Sequence, residues 1–178
     1  EGYENVTLDG MTVYLNRKFY VHLNVNIGNK KDSTRGRFTL AHELGHYFID
    51  AHRVGLQKGI LVFHFLNTNN KQFDTIERKA DYFASCLLMP ESRFQNEIFR
   101  KKFNYDLIQS LASQYNVSIT ACAFRFAQIG NHPIMIIYAE NGIVKWKLES
   151  DDFPYKWLLN DKKVPENTVM GEYFSKSN

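Results

Sequence analysis

The sequence predicts an α+β protein, because two kinds of hydrophobic periodicity occupy different parts of the chain. Apolar residues alternate along residues 11–27, as in a strand with one buried face. They recur at helical spacing in several runs between Arg37 and Gly130. A second alternating region, residues 133–148, contains an Asn-Gly pair between apolar runs, which indicates a β-hairpin. Helices are therefore expected between two small β elements.

Composition is that of an ordinary soluble globular protein, with 178 residues of which 44% are hydrophobic and 23% charged. The net charge of +3 does not by itself predict nucleic-acid binding, because Lys and Arg are not clustered. The sequence contains no apolar stretch long enough to predict a membrane span. Cys86 and Cys122 lie in apolar helical settings and are predicted to be buried, reduced thiols of a cytoplasmic protein. The chain starts at Glu1 rather than methionine, which leaves room for an upstream segment or leader.

The first β element is expected to comprise a short strand at residues 11–15 and a longer one at residues 19–27. His22 falls on the polar side of the longer strand and is predicted to lie at the surface rather than to bind a metal. Residues 28–36 are predicted to form a charged loop, and either Ser33 or Thr34 is placed to cap the helix that follows.

That helix, residues 37–50, carries the pattern His-Glu-x-x-His at His42, Glu43 and His46. Histidines four residues apart lie on one helix face, so both rings can reach one metal ion. Neutral imidazole is a good zinc ligand, and the adjacent glutamate can accept a proton from a zinc-coordinated water. The pattern therefore predicts the centre of a zinc peptidase, and the order strand, loop, helix is that expected of a zincin-like core.

The same pattern also occurs by chance on surface helices, so its context matters. Small or apolar residues surround it, namely Phe38, Leu40, Ala41, Leu44, Gly45 and Phe48. Such a helix is buried on most sides. A buried polar group without a partner costs on the order of a few kcal/mol, and a metal would satisfy the polar side chains together.

Zinc needs a third protein ligand, and the residues offer two candidates. His52 follows His46 at the spacing of the metzincin motif, but that motif has a glycine where this chain has Ile49. Isoleucine tolerates positive φ badly and is expected to continue the helix or to enter a strand. His52 is therefore the less favoured candidate.

The favoured candidate is Glu77, in an amphipathic helix predicted over residues 75–90 and ended by Pro90. Asp81 lies one turn after Glu77, as in thermolysin-like enzymes, in which the second acid orients a ligating histidine through its free ring nitrogen. By themselves, the two acids would indicate an exposed pair on a solvated helix face. The apolar stripe beside them and the upstream His-Glu-x-x-His favour the ligand interpretation.

Residues 59–66 (GILVFHFL), between the two helices, are predicted to form a short strand. In zincin-like peptidases an edge strand near the metal pairs with the extended substrate, and this segment is the candidate for that role. A wholly internal strand is the alternative, and His64 within it is as compatible with packing as with the cleft. Residues 67–74 are predicted to form a polar loop.

Three more helices are expected, over residues 91–103, 106–115 and 118–129. The last two have the apolar spacing of a helix-turn-helix. The second of these offers only Arg125 and Gln128 for phosphate contacts and base readout, which is a poor supply. Packing or protein recognition is therefore favoured over direct DNA binding.

The second β element is predicted to comprise strands at residues 133–139 and 143–148. Apolar residues beyond it are expected to pack back on this hairpin: Phe153, Pro154, Tyr155, Trp157 and Leu158. The last dozen residues are predicted to be frayed.

Two sequence blocks together resemble the ImmA/IrrE family of bacterial and phage metallopeptidases. The first is RFTLAHELGH, residues 37–46, and the second reads E-x-x-A-D-x-F-A-x-x-L-L-M-P from Glu77 to Pro90. Beyond about Gly130 the match is only general. The resemblance implies zinc bound by His42, His46 and Glu77, with Glu43 as general base.

The resemblance also implies an endopeptidase that cleaves a specific helix-turn-helix repressor and so releases phage, mobile-element or stress-response genes. We expect a peptidase core over residues 1–90, a helix-turn-helix-like segment over residues 91–130 and a β hairpin with a tail over residues 131–178. The alternative is a zinc-containing regulatory protein that binds a repressor or DNA without cleaving it. An intact Glu43 argues against this alternative, because a structural zinc site needs no base.

Nearby candidates to stabilise an oxyanion are Tyr47, His64, Arg78 and Tyr82.

Overall fold

The computed structural model describes residues 8–60, 71–155 and 162–176. It confirms the predicted α+β class, with two small antiparallel sheets and a set of helices. In chain order the described elements are β1 (Gly10–Leu15), β2 (Lys18–Leu23), a 3-10 turn (Val25–Ile27), α1 (Thr34–Phe48), α2 (Asp50–Gln57), α3 (Lys71–Leu88), α4 (Glu91–Ile98), α5 (Tyr105–Tyr115), α6 (Ile119–Ile129), β3 (Met135–Glu140), β4 (Ile143–Glu149) and α7 (Val169–Lys176).

Strands β1 and β2 form an antiparallel hairpin that packs on α1. Its turn residues, Asn16 and Arg17, have φ values of 49° and 62°, the left-handed backbone that a tight hairpin turn requires. The strand predicted over residues 19–27 is too long. It ends at Leu23 because the Asn24 side chain accepts a hydrogen bond from a backbone amide and starts a 3-10 turn instead.

Helix α1 begins after Ser33, whose side chain accepts a hydrogen bond from the Gly36 amide. It ends at Phe48 because Ile49 is extended, with φ −78° and ψ 111°, and α2 starts directly after Ile49. The expectation that Ile49 would continue the helix or enter a strand is wrong. Extended backbone suits a β-branched residue, so the helix is interrupted without glycine or positive φ.

Helix α3 packs along α1 and ends before Pro90, as predicted. It begins at Lys71, so the loop predicted over residues 67–74 is wrong from Lys71 onward; lysine and glutamine there are good helix formers. Gly59 and Ile60 lie in the turn that follows α2. The rest of the strand predicted over residues 59–66, with His64, lies outside the described residues.

Helices α4, α5 and α6 build the main hydrophobic core. The prediction for α4 is too long, because Phe99 leaves the helical conformation with a ψ of 125° and Arg100 has a φ of 57°. Helices α5 and α6 agree with prediction within one residue and are separated by Asn116 in the left-handed conformation. Their core consists of Met89, Phe94, Ile98, Leu107, Ile108, Leu111, Ala112, Tyr115, Val117, Cys122, Phe126, Ala127 and Ile134.

The predicted second hairpin is confirmed, with Asn141 and Gly142 at φ 51° and 72° in its turn. The predicted frayed tail is wrong, because α7 carries Met170 and Phe174 one turn apart, and both pack on the small core of the hairpin. Phe153 lines a cavity together with Met135, Ile137 and Val144 of this hairpin. Trp157 and Leu158 lie outside the described residues.

Both cysteines are free thiols. Cys122 is fully buried, which raises the pKa of its thiol to about 12, whereas Cys86 is only partly buried, contrary to prediction. Among the described helices, none is long and apolar enough to cross a membrane.

Candidate metal centre

Helices α1 and α3 bring His42, His46 and Glu77 together. The Nε2 atoms of His42 and His46 lie 3.2 Å apart. Glu77 Oε2 lies 3.1 Å from His42 Nε2, and Glu77 Oε1 lies 3.6 Å from His46 Nε2. Each residue offers one ligand atom, and these atoms all lie within 4.8 Å of one another.

The separations between these atoms fit a zinc ion. In a tetrahedral site with zinc–ligand bonds of about 2.0–2.1 Å, neighbouring ligand atoms lie about 3.3–3.4 Å apart. The 3.2 Å between the two Nε2 atoms and the 3.1 Å from Glu77 Oε2 to His42 Nε2 lie close to that value, and the other carboxylate oxygen, Oε1, lies 3.6 Å from His46 Nε2. Two imidazoles and a carboxylate are also the donor set of catalytic zinc sites that keep one position for water.

Close contact between α1 and α3 makes this convergence possible. A Cβ on Gly45 would lie 3.1 Å from the Ala80 Cα and 3.3 Å from the Ala80 carbonyl oxygen. Gly45 lies directly before His46, and Ala80 lies one turn after Glu77. The two backbones therefore approach each other beside the cluster.

Asp81 Oδ1 lies 2.8 Å from His42 Nδ1. A carboxylate can only accept this hydrogen bond, so the Nδ1 of His42 carries a proton and its Nε2 faces Glu77. Burial lowers the pKa of His42, but the hydrogen bonds to Asp81 and Glu77 outweigh burial and raise it to about 10. In the absence of a metal, the cluster holds a proton that a metal would have to displace.

His52 lies behind His46 rather than in the cluster. Its side chain is buried, and its Nδ1 lies 3.1 Å from His46 Nδ1, the ring nitrogen opposite the one that faces His42. The extended residue Ile49 and helix α2 place it there. Burial and the neighbouring His46 lower the pKa of His52 to about 4, so its ring is neutral at neutral pH. Of the two candidates for third ligand, the structure groups Glu77 with the motif histidines.

Glu43 is only 2% exposed and lies against strand β1. The Thr12 hydroxyl oxygen lies 2.7 Å from Glu43 Oε2 and 3.0 Å from the Glu43 carbonyl oxygen, so its single proton is shared between these two acceptors. A Cβ on Gly10 would lie 3.0 Å from Glu43 Oε1 and 2.6 Å from Thr39 Cγ2. The β1 backbone thus lies directly against the carboxylate, and Thr12 holds its orientation.

The other residues considered from the sequence, including the candidates for oxyanion stabilisation, are not held in the cluster. Tyr47, Tyr82 and Arg78 are exposed, so the structure does not single out one of them to stabilise an oxyanion. His64 lies outside the described residues. His22 is exposed on β2, as predicted.

Comparison with known proteins agrees with this geometry. The model of a peptidase family, described as the IrrE N-terminal-like domain, matches residues 6–127. This chain belongs to that family. The matched segment contains the His42, His46 and Glu77 cluster and ends within α6.

Among curated proteins, the chain is similar to Metallopeptidase ImmA of Bacillus subtilis (strain 168), with 27% identity over 115 residues. The similarity covers 64% of this chain and 59% of the relative's length. Both comparisons confirm the ImmA/IrrE resemblance and indicate a metallopeptidase family.

Sequence reasoning missed three residues around the centre: Gly10, Thr12 and His52 in its observed position. Gly10 and Thr12 precede the motif by about thirty residues and contact Glu43 only through the packing of β1 on α1. For His52, the signal was a histidine at metzincin spacing, but the break at Ile49 decided where its ring points.

Proposed function

We propose that this protein is a zinc-dependent endopeptidase with a zincin-like core. The observation that carries the proposal is the convergence of His42, His46 and Glu77 at separations that suit one zinc ion, beside a buried glutamate on the same helix. The packing of a β hairpin and α3 against the motif helix supports a zincin-like core. Membership in a peptidase family supports hydrolysis as the chemistry.

Each residue of the centre has a proposed role. His42, His46 and Glu77 would hold zinc, which supplies polarisation of the scissile carbonyl and a lowered pKa for the attacking water. Glu43 accepts the water proton and later passes it to the leaving amine. Thr12 keeps the Glu43 carboxylate in position through its 2.7 Å hydrogen bond, and Asp81 keeps the His42 Nδ1 protonated.

The proposed substrate is a helix-turn-helix transcriptional repressor, as the family resemblance implies. Direct DNA binding is not proposed, because Arg125, the one cation of α6, is buried and donates to the Met89 carbonyl oxygen and the Gln128 side chain. A guanidinium used in this way is not available to phosphates. The free thiols Cys86 and Cys122 support a cytoplasmic location.

The test uses the purified wild-type protein and the Glu43→Gln variant, each loaded with one equivalent of zinc. Both are incubated with fluorogenic peptides and with a panel of helix-turn-helix repressors, and products are identified by mass spectrometry. Wild type should cleave a repressor. The variant should bind zinc equally well and lose hydrolysis, because the amide keeps the shape of the side chain but cannot accept the proton.

Two outcomes would overturn the proposal. Hydrolysis that survives in Glu43→Gln would exclude this residue as the base. Repressor binding by wild type and variant alike, with no cleavage, would instead favour the zinc-containing regulatory protein.

A further inference from the structure

His52 is buried and faces the ring of His46, and the proposed peptidase mechanism gives it no role. The two Nδ1 atoms lie 3.1 Å apart, and the ring centroids lie 5.1 Å apart at an interplanar angle of 36°. A hydrogen bond between two ring nitrogens requires one to donate and the other to accept. The direction of this bond therefore depends on whether the other ring nitrogen of His46, Nε2, carries a proton or binds a metal.

The cluster determines which nitrogen donates. A metal bound at His46 Nε2 needs the lone pair of that atom, so the neutral ring must carry its proton on Nδ1. His46 Nδ1 then donates, and His52 Nδ1 accepts. The opposite direction would leave the proton on His46 Nε2, where it would exclude a metal.

We propose that His52 is a positioning residue that accepts the Nδ1 proton of His46 and thereby holds its ring and tautomer ready for the metal. This role rests on the metal site proposed above.

The two histidines of the motif then have unlike partners. His42 donates to Asp81, an exposed carboxylate, whereas His46 donates to a buried imidazole. Water competes little for a hydrogen bond at a side chain that is 2% exposed. The backbone also fixes His52, because its amide donates to the Ile49 carbonyl oxygen at 2.9 Å at the start of α2.

The test compares His52→Gln with His52→Leu. Glutamine offers a carbonyl oxygen that can accept the His46 proton, whereas leucine fills much of the space and accepts nothing. Zinc affinity of the metal-free proteins is measured by competition with a chromogenic chelator. Loss of such an outer hydrogen bond should weaken zinc binding about 10-fold to 100-fold in His52→Leu, and His52→Gln should recover most of that loss.

Two further readouts separate positioning from packing. Thermal unfolding of the EDTA-treated proteins reports the stability that each substitution removes. In zinc-loaded protein labelled with ¹⁵N, a slowly exchanging imidazole proton on His46 Nδ1 is expected in wild type and His52→Gln, and faster exchange is expected in His52→Leu.

Zinc binding by His52→Leu as tight as wild type would overturn the inference. The inference would also be overturned if His52→Leu and His52→Gln lost equal zinc affinity, in proportion to the stability that each loses without metal. His52 would then be a packing residue. Glu77→Ala serves as the control for the site itself. If wild type binds zinc no more tightly than Glu77→Ala, the proposed function fails together with the role of His52. If Glu77→Ala binds zinc more weakly than wild type but His52→Leu does not, the role of His52 fails alone.

Discussion

Replacing Gly45 with alanine tests whether the spacing between α1 and α3 sets the geometry of the metal centre. The added Cβ would lie 3.1 Å from the Ala80 Cα, 3.3 Å from the Ala80 carbonyl oxygen and 3.3 Å from Phe83 Cδ1. Carbon atoms in ordinary contact are separated by about 3.5–4.0 Å. Two of the three contacts are with backbone atoms, so relief requires α3 to move away by about 0.4 Å or more.

Such a shift is large on the scale of metal coordination, where distances are held within about 0.2 Å. Glu77 lies one turn before Ala80 and would move with α3, away from His42 and His46. Overpacking typically costs about 1–3 kcal/mol, and about 1 kcal/mol is regained because alanine favours the helix. We expect the metal-free variant to lose up to about 2 kcal/mol of unfolding free energy and zinc affinity to fall about tenfold or more.

Urea unfolding of EDTA-treated protein measures the stability, and chelator competition measures the zinc affinity. Gly45→Val should show larger losses of both. Leu111→Ala is the control, since it creates a cavity in the core of α4, α5 and α6 and should destabilise the fold without weakening zinc binding by the folded protein. If Gly45→Ala binds zinc as tightly as wild type and is at least as stable, the close approach of α1 and α3 does not set the ligand geometry.

Two further predictions concern proton release and the helical core. The His42 proton stabilises the metal-free protein fully below the ordinary pKa of 6.5, and this contribution is lost as the pH rises through the raised pKa of about 10. Zinc should displace this proton, so calorimetric titrations should record proton release on zinc binding. The zinc affinity should rise about tenfold per pH unit above neutrality, and a zinc affinity independent of pH would contradict this prediction. Leu111→Ala should lower the unfolding free energy by about 2–5 kcal/mol because Leu111 is only 1% exposed. Leu87→Ala, at a residue 50% exposed on α3, should cost far less, and similar urea midpoints for the two variants would refute the assignment of the core.

The local sequence was sufficient to predict which residues of the candidate site share a helix face. Residues four apart on a helix share a face whatever the rest of the fold does, so His42 and His46 could be paired without a structure. The same local geometry put Asp81 one turn after Glu77, and the structure places these two acids beside the motif histidines. The cap of α1, for which the sequence offered Ser33 or Thr34, and the Asn-Gly hairpin turn were also predictable, because each depends on a few neighbouring residues.

Only the tertiary structure decided how distant segments meet at that centre. The contact of Thr12 with Glu43 depends on β1 packing across α1, which alternation along a strand does not specify. The position of His52 depends on the single extended residue Ile49, and α7 depends on an apolar surface that the second hairpin supplies. Periodicity encodes which face of an element is apolar, but the partner of that face follows from packing between segments far apart in the chain.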